Sequence, residues 1–264
     1  MNAIGFAFRG LAARGEKGLV VYLTAGDPTP ATALSYFRAA ADAGADVLEV
    51  GVPFSDPTAD GPTIEAASRR ALANGMSVGR ALDLVRGFRK THPTPIVLFG
   101  YFNPFLRYGP AALARDARSA GVDGLLVVDL PLEEAGEILP GIRSEGLAWI
   151  PLASPTSGMD RIRAVDRAGS GFLYLISVTG VTGARSALPR EMASWTREVK
   201  SAARLPLAVG FGISGPAMAR AATRYADAAV VGSACVKIVE RNGRARRGPG
   251  ELSRFVRSLK NALR

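Results

Sequence analysis

Apolar residues fall along this chain in short, near-continuous blocks, separated by longer stretches where they recur every three or four positions. The blocks are GLVVYLTAG (18–26), ADVLEVGVP (45–53), TPIVLFGYF (94–102), VDGLLVVDLP (122–131), LAWIPLAS (147–154), GFLYLISV (171–178), PLAVGFG (206–212) and DAAVVGSA (227–234). Continuous rather than alternating apolar runs predict parallel strands covered on both faces. The intervening stretches, such as ATALSYFRAAADAG and EEAGEILPGIRSEG, have helical spacing, and several end in Gly just before the next block. Eight such β–α units predict a (β/α)8 TIM barrel rather than an open doubly wound sheet. No linker divides the chain, so residues 1–264 read as a single domain. NAIGFAFRGLAARG precedes the first strand and predicts an extra N-terminal helix closing the lower end of the barrel. At the other end, Leu252, Phe255, Val256, Leu259 and Leu263 share one face of a final helix.

The second block poses a problem. Glu49 sits inside VLEVGVP, and burying an unpaired carboxylate is costly, so this group is paired, protonated or facing a polar chamber. The other strands supply almost no cations to pair with it. In a barrel, a residue well into strand 2 can point inward beneath the mouth where active sites form. Asp60, in ADGPTIEAASRRAL, is either a second functional acid or the start of the helix that begins near Pro62.

Composition narrows the chemistry. The 264 residues contain one His, His92, expected to face solvent in RKTHPTP, and one Cys, Cys235. These exclude a disulfide within the chain and the usual zinc spacings, and they disfavour a His-dependent triad. Acid–base work therefore falls to carboxylates, Tyr or Lys. No apolar run approaches the roughly 18 residues of a membrane span. MNAIGFAFRG lacks the pattern of a secretory signal, so a cytoplasmic location is expected. The formal charge of +10 is spread over helices, apart from VKIVERNGRARRGPG near the C-terminus. That cluster has no interleaved aromatic residues for stacking bases and reads as a solvated basic surface.

Two Gly-rich loops, VGFGISGP (209–216) and VGSAC (231–235), follow strands 7 and 8, a frequent phosphate position in this fold. Gly210, Gly212 and Gly232 permit close backbone approach, and Ser214 or Ser233 can open a helix whose N–H groups meet an anion. SVTGVTGARSALP (177–189), after strand 6, has the composition of a mobile loop or a lid. Tyr22, Tyr101 and Tyr174 fall in strand segments, either as pocket walls or as core.

YLTAGDP (22–28), LEVGVPFSDPTADGPTI (48–64), VDGLLVVDLP (122–131), GVTGAR (180–185), GFGIS (210–214) and VGSA (231–234) together resemble the tryptophan synthase α-chain family over essentially the whole chain. The resemblance implies a lyase of tryptophan biosynthesis that cleaves indole-3-glycerol phosphate to indole and glyceraldehyde 3-phosphate. It implies Glu49 as the proton shuttle and Asp60 as the group stabilising charge at the indole nitrogen. Thr182 would bond Asp60 on closure and Tyr174 would set the ring. Gly183, Gly212, Gly232 and Ser233 match phosphate positions. Tyr22, Ile64 and Phe99 match pocket walls, and Phe211 is a further substrate contact.

Tyr22 stands where Phe is common, Phe99 where Leu is common, and Val178 where Arg is common. The family further implies no metal or cofactor in this chain. Its partner is a pyridoxal-phosphate-bearing β chain in an α2β2 assembly, met through Pro53, Asp56, Phe102 and Asn103. Competing barrel chemistries fit less well. A Schiff-base aldolase needs a lysine in GFLYLISV, and the paired acids of sugar isomerases have no counterpart in PLASPT.

Overall fold

A computed structural model describes residues 2–176, 190–210 and 212–264. Its strands are β1 (Gly18–Thr24), β2 (Val47–Gly51), β3 (Ile96–Gly100), β4 (Gly124–Val127), β5 (Ala148–Trp149), β6 (Leu152–Ala153), β7 (Leu173–Ile176), β8 (Leu207–Gly210) and β9 (Ala228–Val231). The helices are α1 (Ala3–Ala13), α2 (Pro30–Asp42), α3 (Pro62–Ala73), α4 (Val78–Arg89), α5 (Phe102–Tyr108), α6 (Pro110–Ala120), α7 (Leu139–Ser144), α8 (Met159–Ala168), α9 (Arg190–Ala202), α10 (Pro216–Ala222), α11 (Ser233–Asn242) and α12 (Gly248–Ala262).

All strands join one parallel sheet in the order β5-β4-β3-β2-β1-β9-β8-β7-β6. Its two edges, β5 and β6, are consecutive pieces of one chain segment, so the sheet curls round until they meet and forms a (β/α)8 barrel. The expected strand 147–154 is therefore two short pieces. Pro151 has no N–H to donate, and the segment changes neighbour there: the Ile150 N–H bonds Leu125 on β4, while Pro151 O accepts from Tyr174 on β7. The expected helix over 133–146 is also divided, into a 3₁₀ turn at Leu132–Glu137 and α7. Pro140 belongs in the first turn of a helix and is unfavourable in the middle of one.

Alternation decides what each strand contributes. Leu19, Leu48, Leu98, Leu125 and Leu173 face outward into the shell of helices. Val20, Val47, Val97, Leu126, Phe172 and Ala208 face inward, where Ile4 and Phe8 of α1 join them in one buried cluster. The N-terminal helix thus plugs the lower end, each buried large side chain contributing roughly 1.5–3 kcal/mol. Leu252, Val256, Leu259 and Leu263 of the last helix are buried, as its spacing predicts, with Phe255 partly covered. Lys260 fastens this helix to the strand starts: its Nζ lies 2.8 Å from Asp46 Oδ2, which also accepts the Leu19 N–H at 2.7 Å. Lys17 N donates to Leu263 O beside it.

Candidate active site

Glu49 answers to the period of β2. Leu48 and Val50 pack outward, which turns Val47, Glu49 and Gly51 into the barrel. Glu49 stands in register between Tyr22 on β1 and Val97 on β3, and it is 0% exposed. Neither carboxyl oxygen has a hydrogen-bond partner among the described residues. Burial alone raises its pKa to about 8, so near neutrality this group is an acid holding its proton.

Asp60 does not cap α3. Gly61 occupies that position without a side-chain cap, and Pro62 opens the first turn. Asp60 is free for other work, and burial raises its pKa to about 6. The hydroxyl of Tyr101 hydrogen-bonds its carboxylate and opposes that rise. The same hydroxyl accepts the Ala59 N–H at 3.1 Å, so Tyr101 holds both the carboxylate and the backbone of the loop that presents it. Tyr101 lies just past β3, as the residue preceding α5, rather than within the strand. Sequence reasoning weighed it only as wall or core. The signal was parity: two positions after inward-facing Phe99, it shares that side of the chain.

The walls are aromatic. Tyr22 meets Phe99 edge-on at 5.1 Å between centroids, and Ile64 of α3 packs against the same cluster. The Tyr22 hydroxyl finds its partner in Thr24 Oγ1 at 3.4 Å. Two glycines admit the tyrosine rings. A Cβ at Gly51 would lie 2.1 Å from Tyr22 Oη, and one at Gly210 would lie 2.5 Å from Tyr174 Oη. Burial first, then the charges of both Glu49 and Asp60, pushes the Tyr22 and Tyr174 hydroxyls up. These four groups therefore share one chamber.

The expected anion end adjoins this chamber. Gly232 precedes α11, whose first-turn N–H groups have no intrahelical acceptor and receive no side-chain cap. A Cβ at Gly232 would reach 3.4 Å from Tyr22 Cβ and 3.7 Å from Ile64 Cδ1, so it borders the aromatic wall. Gly212 takes φ 68°, a conformation that favours glycine, in the turn after β8, the strand beside β9. Ser233 is exposed at the start of α11. Thr182, Gly183 and Phe211, and Val178 with them, lie outside the described residues.

The expected partner-facing residues gather elsewhere. Pro53, Asp56 and Asn103 line a groove of about 620 Å³ together with Val52, Met76, Arg107 and Tyr108. Phe102 is partly buried at its edge, its N–H held by Asp129 Oδ1 at 2.7 Å. Since Tyr101 immediately precedes Phe102, this loop and Asp60 are linked through one residue. His92 departs from the solvent-facing expectation: it stacks on Phe88 at 4.8 Å and its Nε2 lies 3.2 Å from Asp42 Oδ1. Apolar Phe88, one helical turn earlier, covers the ring. Cys235 is free and buried. Arg244, Arg246 and Arg247 are exposed. Among the described residues, no group of three or more His, Cys, Asp or Glu side chains could hold a metal ion, and no helix is long and apolar enough to cross a membrane.

Comparison with known proteins points one way. The family model described as tryptophan synthase alpha chain matches residues 8–264. A tryptophan synthase alpha chain of Citrifermentans bemidjiense is 51% identical over 263 residues, covering 100% of this chain and 98% of the relative. The crystal structure of the alpha chain from Legionella pneumophila superposes with a TM-score of 0.92 at 37% identity, over 100% of this chain and 97% of that one. A tryptophan synthase complex from Pyrococcus furiosus gives 0.85 at 37% identity, over 93% of this chain and 99% of its own.

Proposed function

Because the chain belongs to the tryptophan synthase alpha chain family, the lyase subunit that cleaves indole-3-glycerol phosphate and passes indole to a beta subunit, we propose that Glu49 and Asp60 divide the acid–base work of that cleavage. The observation that carries this reading is how environment sets the two carboxyls apart, Glu49 at about 8 and Asp60 at about 6. Near pH 7 one holds a proton and the other is ionised, the division that two-carboxyl catalysis needs.

Glu49 delivers its proton to indole C3, while Asp60, held by Tyr101, stabilises the positive charge that develops at the ring nitrogen. Glu49, now a carboxylate, takes the proton of the glycerol hydroxyl next to C3. The C3–carbon bond breaks as that hydroxyl becomes the aldehyde, and its electron pair returns to the ring to restore indole. Glu49 ends as it began, and no proton is gained or lost overall. A buried site makes each charge interaction stronger than in water.

Tyr22, Ile64, Phe99 and Tyr174 hold the indole ring flat against the wall, with Phe211 as a further contact. Gly183, Gly212, Gly232 and Ser233 receive the phosphate through backbone N–H groups, and Thr182 meets Asp60 when the loop closes. The scheme uses only the chain's own carboxyls and needs no cofactor here, leaving pyridoxal phosphate to the beta chain. That chain docks on Pro53, Asp56, Phe102 and Asn103 in an α2β2 assembly in the cytoplasm, with residues 1–264 acting as one domain. The test is Glu49→Gln, which keeps shape and removes the proton. Indole formation should fall by at least about 10²–10⁴-fold with substrate binding nearly intact. Near-normal turnover in the folded variant would end the assignment.

A further inference from the structure

Arg70, on α3, ties its own helix to two other parts of the molecule. Its Nε and Nη2 donate to Asp27 Oδ1 and Oδ2 at 2.8 and 3.0 Å, gripping a carboxylate on a residue only 4% exposed. Its Nη1 donates to Glu240 Oε1 at 2.9 Å. Asp27 lies in the turn after β1 and donates its N–H to Thr24 O, the residue whose hydroxyl meets Tyr22. Arg70 is on α3, the helix that follows Asp60 and carries Ile64. Glu240 is on α11, the helix that begins at Ser233. Ala67 of α3 and Val236 of α11 pack with Tyr22 in one buried cluster between the same three elements.

The geometry points to Arg70 as a positioning residue for the alpha reaction: it sets the spacing between the Asp60 side of the pocket and the α11 end that grips phosphate. When the phosphate is seated, indole C3 then meets Glu49. This rests on the phosphate reading given above. The Glu240 bond is partly exposed and so contributes little to stability, but it fixes an orientation. Lysine cannot reproduce the bridge, because a compact ammonium cannot grip both Asp27 oxygens in a fork while reaching Glu240. Small misplacements of reacting groups have large kinetic costs.

The test uses the full chain with saturating beta subunit, and the variants Glu240→Ala, Arg70→Lys and the two combined. Steady-state cleavage of indole-3-glycerol phosphate is measured, along with binding of glycerol 3-phosphate and of indole. Glu240→Ala, which leaves Arg70 no acceptor on α11, should raise KM and weaken glycerol 3-phosphate by about tenfold, leaving kcat and indole affinity within about twofold. Arg70→Lys should show the same loss and also lower kcat, and adding Glu240→Ala to it should cost nothing more. If both variants merely lower the melting temperature, with KM and glycerol 3-phosphate affinity unchanged, Arg70 is a structural clamp and the inference is overturned. Gly212→Val reports on the phosphate reading separately. If it weakens glycerol 3-phosphate while the bridge variants do not, only the Arg70 inference fails. If it leaves that ligand unaffected, the phosphate reading fails, and the inference with it.

Discussion

Glu49→Gln should make the protein inactive and, as pH rises, shift its stability upward relative to wild type. Glu49 is 0% exposed and its pKa is lifted by burial from the ordinary 4.5 to about 8. Below pH 4.5 the folded and unfolded chains both hold this proton, and it has no effect on stability. Between 4.5 and 8 the unfolded chain releases the proton and the folded chain keeps it. Stability therefore falls as pH rises, until the folded carboxyl ionises too. At about 1.4 kcal/mol per decade, the loss is roughly 3 kcal/mol by pH 7 and approaches 5 kcal/mol above pH 8.

Glutamine has nearly the same volume and cannot ionise. Its buried amide carries a cost, but the same cost at every pH, so the difference between the two proteins isolates the carboxyl. Urea unfolding at pH 4.5, 6, 7 and 8, followed by far-UV circular dichroism, should give curves for wild type and variant that separate steadily. Between pH 4.5 and 8 the difference should move in the variant's favour by several kcal/mol, or about 10 °C in Tm for a chain of this size. Curves that run parallel across this range would mean that Glu49 is not held protonated, and its role as an acid would go with it.

Two further outcomes follow from the site. Wild-type kcat/KM should be bell-shaped, with limbs near pH 6 for Asp60 and near pH 8 for Glu49; Tyr101→Phe removes a bond that favours ionised Asp60, so its acidic limb should move upward while the basic limb stays, and an unmoved acidic limb would dissociate Tyr101 from Asp60. Gly51→Ala places a methyl 2.1 Å from Tyr22 Oη, which forces the ring from its contact with Phe99; kcat/KM should fall at least about tenfold in a folded protein, and unchanged kinetics would show that Tyr22 does not shape the pocket.

Much of this was legible in the sequence because a barrel repeats one local rule. Apolar blocks locate the strands, parity turns Val47, Glu49 and Gly51 inward, and a carboxyl without cations nearby marks itself as unusual. The N-terminal plug and the last helix follow from their spacing. What escaped the sequence depends on partners distant along the chain. Asp60 could have been a helix cap, and only the geometry of Gly61 and the hydroxyl of Tyr101 decide otherwise. The division of strand 5 at Pro151 follows from barrel closure, since one segment must serve two neighbours. His92 looked like a solvent-facing loop residue because its cover, Phe88, comes from the preceding helix. Arg70 carries no signal in the sequence, because Asp27 and Glu240 come to it only in the fold.

The strand order has a consequence for how the chain finds this structure. Nearly every ladder joins strands that are neighbours in sequence, so two arcs can grow by local steps, β1 through β5 and β6 through β9. One ladder is different: β1 pairs with β9, matching Gly18 with Ala228 and Val21 with Val231. That single contact spans most of the chain, and the entropy of closing so long a loop is concentrated there. The Lys260–Asp46 pair and the bond from Lys17 to Leu263 lie beside it, joining the same distant parts. The circle closes at one latch, held at the strand starts by Lys260 and Asp46, and the same ladder ends at Val21 and Val231, one residue short of Tyr22 and Gly232.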